Sequence, residues 1–205
     1  MLRGNSEEAP STASGESVSN AGMGFFDVFA NNVLIKRLRG QSGHAELIAQ
    51  MVGTRLGDRV LVIGGGDGRL VAAVGAPTGL TGRVTAVEAD AAVANRVELA
   101  ATADGVLIEV ETAGFDRLPF EDAAFDVAVV PSQGTPETLA AALADAWRVV
   151  RTGGRAMVVA AAGVPASAAV IDALGKAGFR AARLLGEREG LAFYESSRPA
   201  NRNSG

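Results

Sequence analysis

Residues 60–68 read Val60-Leu61-Val62-Ile63-Gly64-Gly65-Gly66-Asp67-Gly68, and helix-like sequence begins directly after them, near Arg69. An apolar run of this kind is typical of a strand that is buried on both faces of a sheet. Glycines after such a strand let the backbone turn tightly and approach a ligand, and the N–H groups at a helix start favour anionic or polar groups. The segment therefore predicts a ligand-binding strand–loop–helix unit. Tight packing of the helix on the sheet would use the same residues and is the alternative.

The spacing of the glycines narrows the choice of ligand. The pattern is G-x-G-x-G, because the last glycine is Gly68 and the next residue is Arg69. A dinucleotide fingerprint needs G-x-G-x-x-G, and a phosphate-binding P-loop ends in Gly-Lys-Ser or Gly-Lys-Thr. The loop matches neither pattern, which argues against a nicotinamide-dependent oxidoreductase.

Short apolar runs recur along the chain and alternate with helix-like stretches, which predicts a parallel sheet covered by helices on both sides. The last two runs, 179–186 and 191–195, are separated by only four residues. This connection is too short for a parallel crossover, so we expect an antiparallel hairpin at one edge of the sheet. The other runs after the first are Arg83–Val87, Val106–Val110, Phe125–Val130 and Arg155–Ala160.

The two ends of the chain differ from its middle. Residues 1–22 are rich in Ser, Glu, Ala, Gly and Asn, which predicts a disordered leader, and 197–205 predict a flexible tail. The leader lacks the pattern of a signal peptide and no run reaches the roughly 18 apolar residues of a membrane span, so we expect a cytoplasmic protein. Residues 23–196 form the predicted single domain and begin with helices within 25–55. The first of these, 25–38, has one apolar face that would cover the ligand cleft or a homodimer interface.

Composition limits the chemistry of the chain. Its 205 residues include no cysteine and a single histidine, His44, so we predict neither a thiolate nucleophile nor a metal site. The net charge is −4 and no block of basic residues occurs, which argues against nucleic acid as a partner. Reactivity must therefore come from carboxylates, hydroxyls, amides, arginines or an imported cofactor.

A carboxylate follows the second predicted strand, which ends in Val87-Glu88-Ala89-Asp90. If an adenosine occupied the cleft, Glu88 would lie at its ribose and could accept hydrogen bonds from both hydroxyls. A solvated turn is the other interpretation of Glu88. Asp90 is the better candidate for the cap of the following helix.

Four segments in this order make the chain resemble the class I S-adenosylmethionine-dependent methyltransferases, particularly the small-molecule branch that includes the quinone-biosynthesis type. The resemblance covers about residues 58–195 and implies an α/β fold: a Rossmann-like, doubly wound, seven-stranded and mostly parallel sheet with the last strand antiparallel, in three α/β/α layers. It also implies S-adenosylmethionine as the cofactor. The segments are 59–68, 82–90, 118–130 and 146–155.

The resemblance assigns roles to individual positions. It places the loop at the methionine end of the cofactor, Glu88 at the ribose, and the ends of the third and fourth strands at the adenine and the reacting centre. The cofactor-binding residues implied are Gly64, Gly65, Gly66, Asp67, Gly68, Glu88, Ala89, Thr112, Ala113 and Pro131.

Two positions depart from the family's usual pattern. Val62 stands where an acidic residue helps to hold the methionine ammonium group, and Thr112 stands where an aspartate meets the adenine amino group. Asp67, Glu111 or Asp116 would have to compensate.

The segment after the fourth strand, Val130-Pro131-Ser132-Gln133, lacks the Asn/Asp-Pro-Pro-Tyr/Phe signature of amino-group methyltransferases. Ser132 and Gln133 would orient a substrate by hydrogen bonds. His44 would act as a base if its helix closes over the cleft, although a histidine at a helix start is more typically at the surface. We therefore expect a methyltransferase acting on a small-molecule nucleophile, with no catalytic residue identified. The alternative is an inactive methyltransferase fold that serves as a binding or scaffold module.

Overall fold

The computed structural model describes residues 43–132 and 134–200. The predictions for the leader, for the apolar helix at 25–38 and for Gln133 lie outside the described residues. The helices are α1 Gly43–Val52, α2 Arg69–Gly75, α3 Ala91–Ala103, α4 Pro136–Val149 and α5 Ser167–Lys176, with a 3-10 turn at Ala76–Thr78. The strands are β1 Arg59–Ile63, β2 Arg83–Glu88, β3 Glu109–Thr112, β4 Phe125–Pro131, β5 Val150–Ala161, β6 Arg180–Arg188 and β7 Leu191–Ser197.

The described strands form one seven-stranded sheet in the order β3-β2-β1-β4-β5-β7-β6. β1 to β5 pair in parallel, and β7 pairs antiparallel with both β5 and β6. This confirms the predicted fold and the hairpin at one edge. The hairpin turn is only Glu189-Gly190, and both residues have positive φ (49° and 78°), as a type I′ turn requires.

Helices cover both faces of the sheet. Successive residues of each strand point their apolar side chains to opposite faces, so both faces need to be buried. Leu61 and Ile63 belong to the cluster with α4 and α5, whereas Val60 and Val62 belong to the cluster with α1, α2 and α3. Strands buried on both faces explain why their sequences are almost continuously apolar. The three-layer arrangement therefore agrees with the sequence pattern.

The third strand lies three residues later than its predicted start. Gly105 has φ +75° after the last turn of α3, and the N–H of Val106 donates to the carbonyl of Ala101 (2.9 Å). This bond is the signature of a Schellman motif, which places an apolar residue at this position against the helix end. The backbone of Val106 thus belongs to the helix cap, and its apolar side chain packs against Gly75 of α2 and not in a strand.

The domain boundaries remain a prediction. β7 includes Ser197, the first residue of the predicted tail. The guanidinium of Arg198 donates to the carbonyls of Trp147 and Arg148 (2.8 Å each) and stacks over the Trp147 ring.

Gly175→Ala is expected to stabilise the protein by about 0.5–1 kcal/mol. Gly175 is an exposed residue of α5, and an added Cβ would meet no atom within 4 Å. Alanine reduces the freedom of the unfolded chain without a steric cost in the helix. Urea unfolding of both proteins measures the difference, and a lower midpoint for the variant would contradict the expectation.

Candidate cofactor site

The glycine loop lies where β1 ends, at the edge where the carboxyl ends of the parallel strands meet. Gly64, Gly66 and Gly68 have φ of +85°, +68° and +84°, a conformation that side chains other than glycine rarely adopt. The N–H of Gly64 donates to the carbonyl of Val87 at 2.9 Å, which ties the loop to the neighbouring strand β2. The loop is therefore a fixed turn between β1 and α2.

Glu88 is the buried carboxylate of this edge. Glu88 is only 3% exposed, and its Oε1 accepts the N–H of Gly66 at 2.9 Å. Burial raises the pKa of Glu88 to about 7, although the loop N–H groups and the charge of Arg96 act to lower it. The predicted ribose residue and the glycine loop are thus brought together, and the solvated-turn interpretation of Glu88 is wrong.

Close packing explains two of the glycines. A Cβ on Gly65 would lie 2.5 Å from Val71 Cγ2 and 3.2 Å from Glu88 Oε1. A Cβ on Gly68 would lie 2.7 Å from the Cβ of Ala100 in α3. The packing alternative therefore applies to these two glycines, and ligand binding by the loop stays a prediction.

Asp67 lies within the loop with an unsatisfied oxygen. Its Oδ1 accepts the N–H of Arg69 at 3.2 Å, whereas its Oδ2 is buried, has no hydrogen-bond partner among the described residues and lies 4.0 Å from the guanidinium Nε of Arg69. A buried carboxylate oxygen without a donor is costly, and a ligand ammonium or hydroxyl would satisfy it. Asp67 is therefore positioned to receive a donor from a bound molecule.

The adenine-side residues lie beside Glu88 at the end of β3. Thr112 is in register with Glu88, and the N–H of Ala113 donates to the Glu88 carbonyl at 3.0 Å. Thr112, Glu111 and Ala89 are exposed. The hydroxyl of Thr112 therefore occupies the edge that the sequence assigned to it.

Val62 packs beneath the glycine loop, with its Cγ1 3.7 Å from where a Cβ of Gly65 would be. It is completely buried in the cluster with α1 and α2, between Ala86 of β2 and Val129 of β4 in the sheet register. An apolar side chain suits this environment, because a carboxylate there would need a partner. Of the three proposed compensating acids, Asp67 is in the loop itself, and Glu111 and Asp116 are exposed.

The end of β4 opens into a cavity of about 340 Å³ between the first turns of α4 and α5. Pro131 is buried and pairs with Val159, and the N–H of Ser132 donates to the Val159 carbonyl at 2.8 Å. No charged side chain of the described residues lines the cavity. The lining residues are Ser132, Gly134, Thr135, Pro136, Leu139, Ala161, Val164, Pro165, Ala169 and Ala173.

His44 is buried, so the expectation of a surface histidine is wrong. It is 5% exposed, and its Nε2 lies 3.3 Å from Oε2 of Glu189 and 3.4 Å from that residue's carbonyl oxygen. Because β7 starts beside the end of β5, the Glu189 turn lies at the same edge as the glycine loop. The N-terminus of α1 is therefore packed against the hairpin turn.

Sequence reasoning missed several residues of this edge. The ring of Phe115 covers the loop, with its Cζ 3.4 Å from where a Cβ of Gly64 would be. The cavity walls formed by Leu139, Val164 and Pro165 were also missed. An aromatic residue just after a strand end was an available signal for Phe115. The cavity walls left no signal in the sequence, because apolar residues have the same pattern whether they line a cavity or pack in a helix core.

The described residues form a Rossmann-like α/β domain with a glycine loop between β1 and α2. Residues 60–154 match the family model described as "Methyltransferase domain". No curated protein sequence matches the chain. None of the described helices is long and apolar enough to cross a membrane.

Solved structures of methyltransferases share the fold at low sequence identity. A SAM-dependent methyltransferase from Aquifex aeolicus has a TM-score of 0.65 and 18% identity, over 75% of this chain and 89% of that one. A SAM-dependent O-methyltransferase from Thermotoga maritima has a TM-score of 0.65 and 17% identity, over 83% and 71%. The [4+2]-cyclase SpnF has a TM-score of 0.59 and 16% identity, over 78% and 81%.

Residues 60–154 are therefore similar to a methyltransferase domain, and the chain shares its fold with solved SAM-dependent methyltransferases. The similarity to a cyclase shows that the fold alone does not specify the reaction. The substrate must therefore be argued from the site.

Proposed function

We propose that this protein transfers a methyl group from S-adenosylmethionine to a small, uncharged and largely apolar molecule that carries a nucleophilic group. The observation that carries the proposal is the cavity of about 340 Å³ at the end of β4, which has apolar walls and no charged lining residue. A charged molecule would lose its hydration there without gaining a partner, whereas an apolar one would be stabilised by burial.

The residues present fit the cofactor. Asp67 Oδ2 is a buried acceptor without a donor, and the methionine ammonium group would supply one. Glu88 would accept from the ribose hydroxyls, and Thr112 would meet the adenine. Because Val62 is apolar and buried, Asp67 would be the carboxylate that faces the ammonium group.

The cofactor supplies a methyl group that is already activated by its sulfonium. The protein therefore needs to orient the acceptor and exclude water more than to create a strong nucleophile. The hydroxyls of Ser132 and Thr135 are the polar side chains of the described cavity lining. Because Thr135 Oγ1 caps α4 by accepting the N–H of Thr138 (3.4 Å), Ser132 would orient the acceptor by hydrogen bonds. The small-molecule branch that the sequence resembles, with quinone biosynthesis as one of its types, supports an acceptor of this size.

Calorimetry with S-adenosylmethionine and S-adenosylhomocysteine tests the cofactor part of the proposal. We expect saturable heat with one cofactor bound per chain for both molecules. Absence of heat at millimolar ligand would contradict the proposal. Binding of both without turnover of any uncharged phenol or alcohol would favour the inactive binding module instead.

Filling the cavity is expected to abolish acceptor binding without affecting the cofactor. Ala169→Trp adds an indole group to the cavity wall, whereas Ala168→Trp places the same group on an exposed position of α5 outside the lining. The uncharged probe N-phenyl-1-naphthylamine should fluoresce with wild type and Ala168→Trp but not with Ala169→Trp. S-adenosylhomocysteine should bind all three equally. Equal probe fluorescence in both variants would show that the cavity does not bind apolar molecules.

A further inference from the structure

A second cavity, of about 430 Å³, lies at the opposite edge of the sheet, where β4 begins and β7 ends. We name it the amino-edge cavity. Its lining includes four arginines, Arg55, Arg151, Arg155 and Arg183, together with three acidic residues. Since the glycine loop lies at the carboxyl edge, this cavity is separate from the proposed cofactor and acceptor sites.

Two of the acidic residues already have arginine partners. Asp126 accepts hydrogen bonds from the side chains of Arg59 (3.1 Å) and Arg151. These bonds hold its pKa at about 2, although burial alone would raise it. Glu195 Oε2 accepts from Arg183 at 2.8 Å. Arginine side chains therefore neutralise the charges of both carboxylates. Arg151 and Arg183 line the cavity, and Arg59 lies outside its lining.

The remaining charges do not balance. Asp58 Oδ2 accepts the backbone N–H of Arg55 at 2.9 Å and makes no ion pair with the Arg55 guanidinium. Among the described residues, no carboxylate oxygen lies within 4 Å of the guanidinium of Arg55 or Arg155. The cavity therefore presents two cations to which no acidic side chain is paired.

Arg155 is the more buried of these two cations. Its Nη2 donates to the carbonyls of Val52 (3.1 Å) and Gly53 (2.6 Å) at the end of α1, and these are the hydrogen bonds recorded for its side chain. Its Nε and Nη1 hydrogens have no acceptor in the described part of the chain. Burial lowers the pKa of Arg155, because the charged guanidinium loses hydration. An oxyanion would replace that hydration and accept the unused hydrogens.

We propose that the amino-edge cavity binds a small oxyanion, the phosphate or carboxylate group of a metabolite, between the guanidinium groups of Arg155 and Arg55. The planar guanidinium matches both groups because each presents two oxygens to it. The site is independent of the methyl-transfer proposal, since no residue is shared between the two edges. A chain that fails to bind S-adenosylmethionine would still bind the anion.

Calorimetric titration of the full chain with inorganic phosphate at constant ionic strength tests this site, and a parallel titration with citrate separates a phosphate ligand from a carboxylate one. We expect saturable binding of at least one anion. Arg55→Gln should weaken it by about tenfold or more, since a charge-assisted hydrogen bond is lost. Arg155→Met should abolish it. Because Arg155 also caps α1, the Arg55 variant carries the test if the Arg155 variant fails to fold.

Arg83→Gln is the matched control. Arg83 lies at the same edge of the sheet, at the start of β2, but outside the cavity lining, and its side chain is 66% exposed. Its removal should leave anion affinity unchanged. The proposal is overturned if neither anion gives saturable heat up to about 10 mM, well above the dissociation constant of a millimolar site. It is also overturned if Arg83→Gln weakens binding as much as Arg55→Gln does.

Discussion

Glu88→Gln is expected to weaken S-adenosylhomocysteine binding by about 10- to 100-fold and, in the same protein, to stabilise the fold at pH 8. The affinity should fall because an ionised carboxylate accepts both ribose hydroxyls, and a hydrogen bond to a charged group contributes about 1.5–3 kcal/mol. The fold should gain because Glu88 is buried and its pKa is raised from 4.5 to about 7. Glutamine removes the buried charge and keeps an acceptor for the Gly66 N–H.

The stability difference should depend on pH with a defined sign. Between pH 4.5 and about 7 the folded protein keeps a proton on Glu88 that the unfolded chain has lost. The free energy of unfolding of the wild type therefore falls as pH rises through this range, by up to about 3 kcal/mol from this group. Below pH 4.5 the contribution is fully present, and the variant should show no such dependence.

Urea unfolding at pH 4.5 and pH 8 measures the stability effect, and calorimetry with S-adenosylhomocysteine at pH 8 measures the affinity. Glu98→Gln is the control, because it removes the same charge from an exposed position of α3. Unchanged cofactor affinity in Glu88→Gln would place the ribose elsewhere. A variant that is less stable than wild type at pH 8 would contradict the raised pKa of Glu88.

Gly68→Ala is expected to lower the free energy of unfolding by about 3 kcal/mol. Two costs add: φ of +84° is strained for alanine, and the new Cβ would lie 2.7 Å from Ala100 Cβ and 2.9 Å from the Val97 carbonyl oxygen. α3 would have to move away from the start of α2. Because Gly68 also ends the glycine loop, S-adenosylhomocysteine affinity should fall as well.

Gly105→Ala separates the two costs. Gly105 has φ +75°, similar to that of Gly68, but an added Cβ would meet no atom within 4 Å. This variant should lose only about 1–2 kcal/mol from backbone strain and should bind the cofactor normally. Urea unfolding of the two variants measures the difference. Equal losses would show that backbone conformation and not helix packing accounts for Gly68.

The comparison of these sites shows what a single chain reveals before its structure is known. The strands were predictable because burial on both faces leaves a local signal, a continuous apolar run. The antiparallel hairpin followed from loop length, and Asp90 was correctly chosen as the cap of α3, since its Oδ1 accepts the N–H groups of Ala92 and Val93. The third strand was misplaced because Val106 serves a helix cap whose hydrogen bond was not part of the apolar pattern.

The glycine loop was recognisable from the sequence for the same reason, since its glycines and the strand before it are contiguous. The proposed acceptor cavity was not, because its walls come from α4, α5, the end of β5 and the loops after β4 and β5, and apolar residues there look the same whether they fill a core or line a cavity. Of that lining, the loop after β4 with Ser132 was predicted. Its position at a strand end was the local signal.

The local sequence pattern therefore determined the helices and strands, their order along the chain and the position of the glycine loop. Tertiary structure alone decided the burial, the partners and the pKa shifts of the titratable side chains. The pKa of Glu88 depends on burial beneath a loop 22 residues away, His44 is buried against a turn 145 residues away, and Arg155 reaches α1 across 103 residues. Desolvation and pairing act through space, so the chemistry of these side chains appears only when the chain has folded.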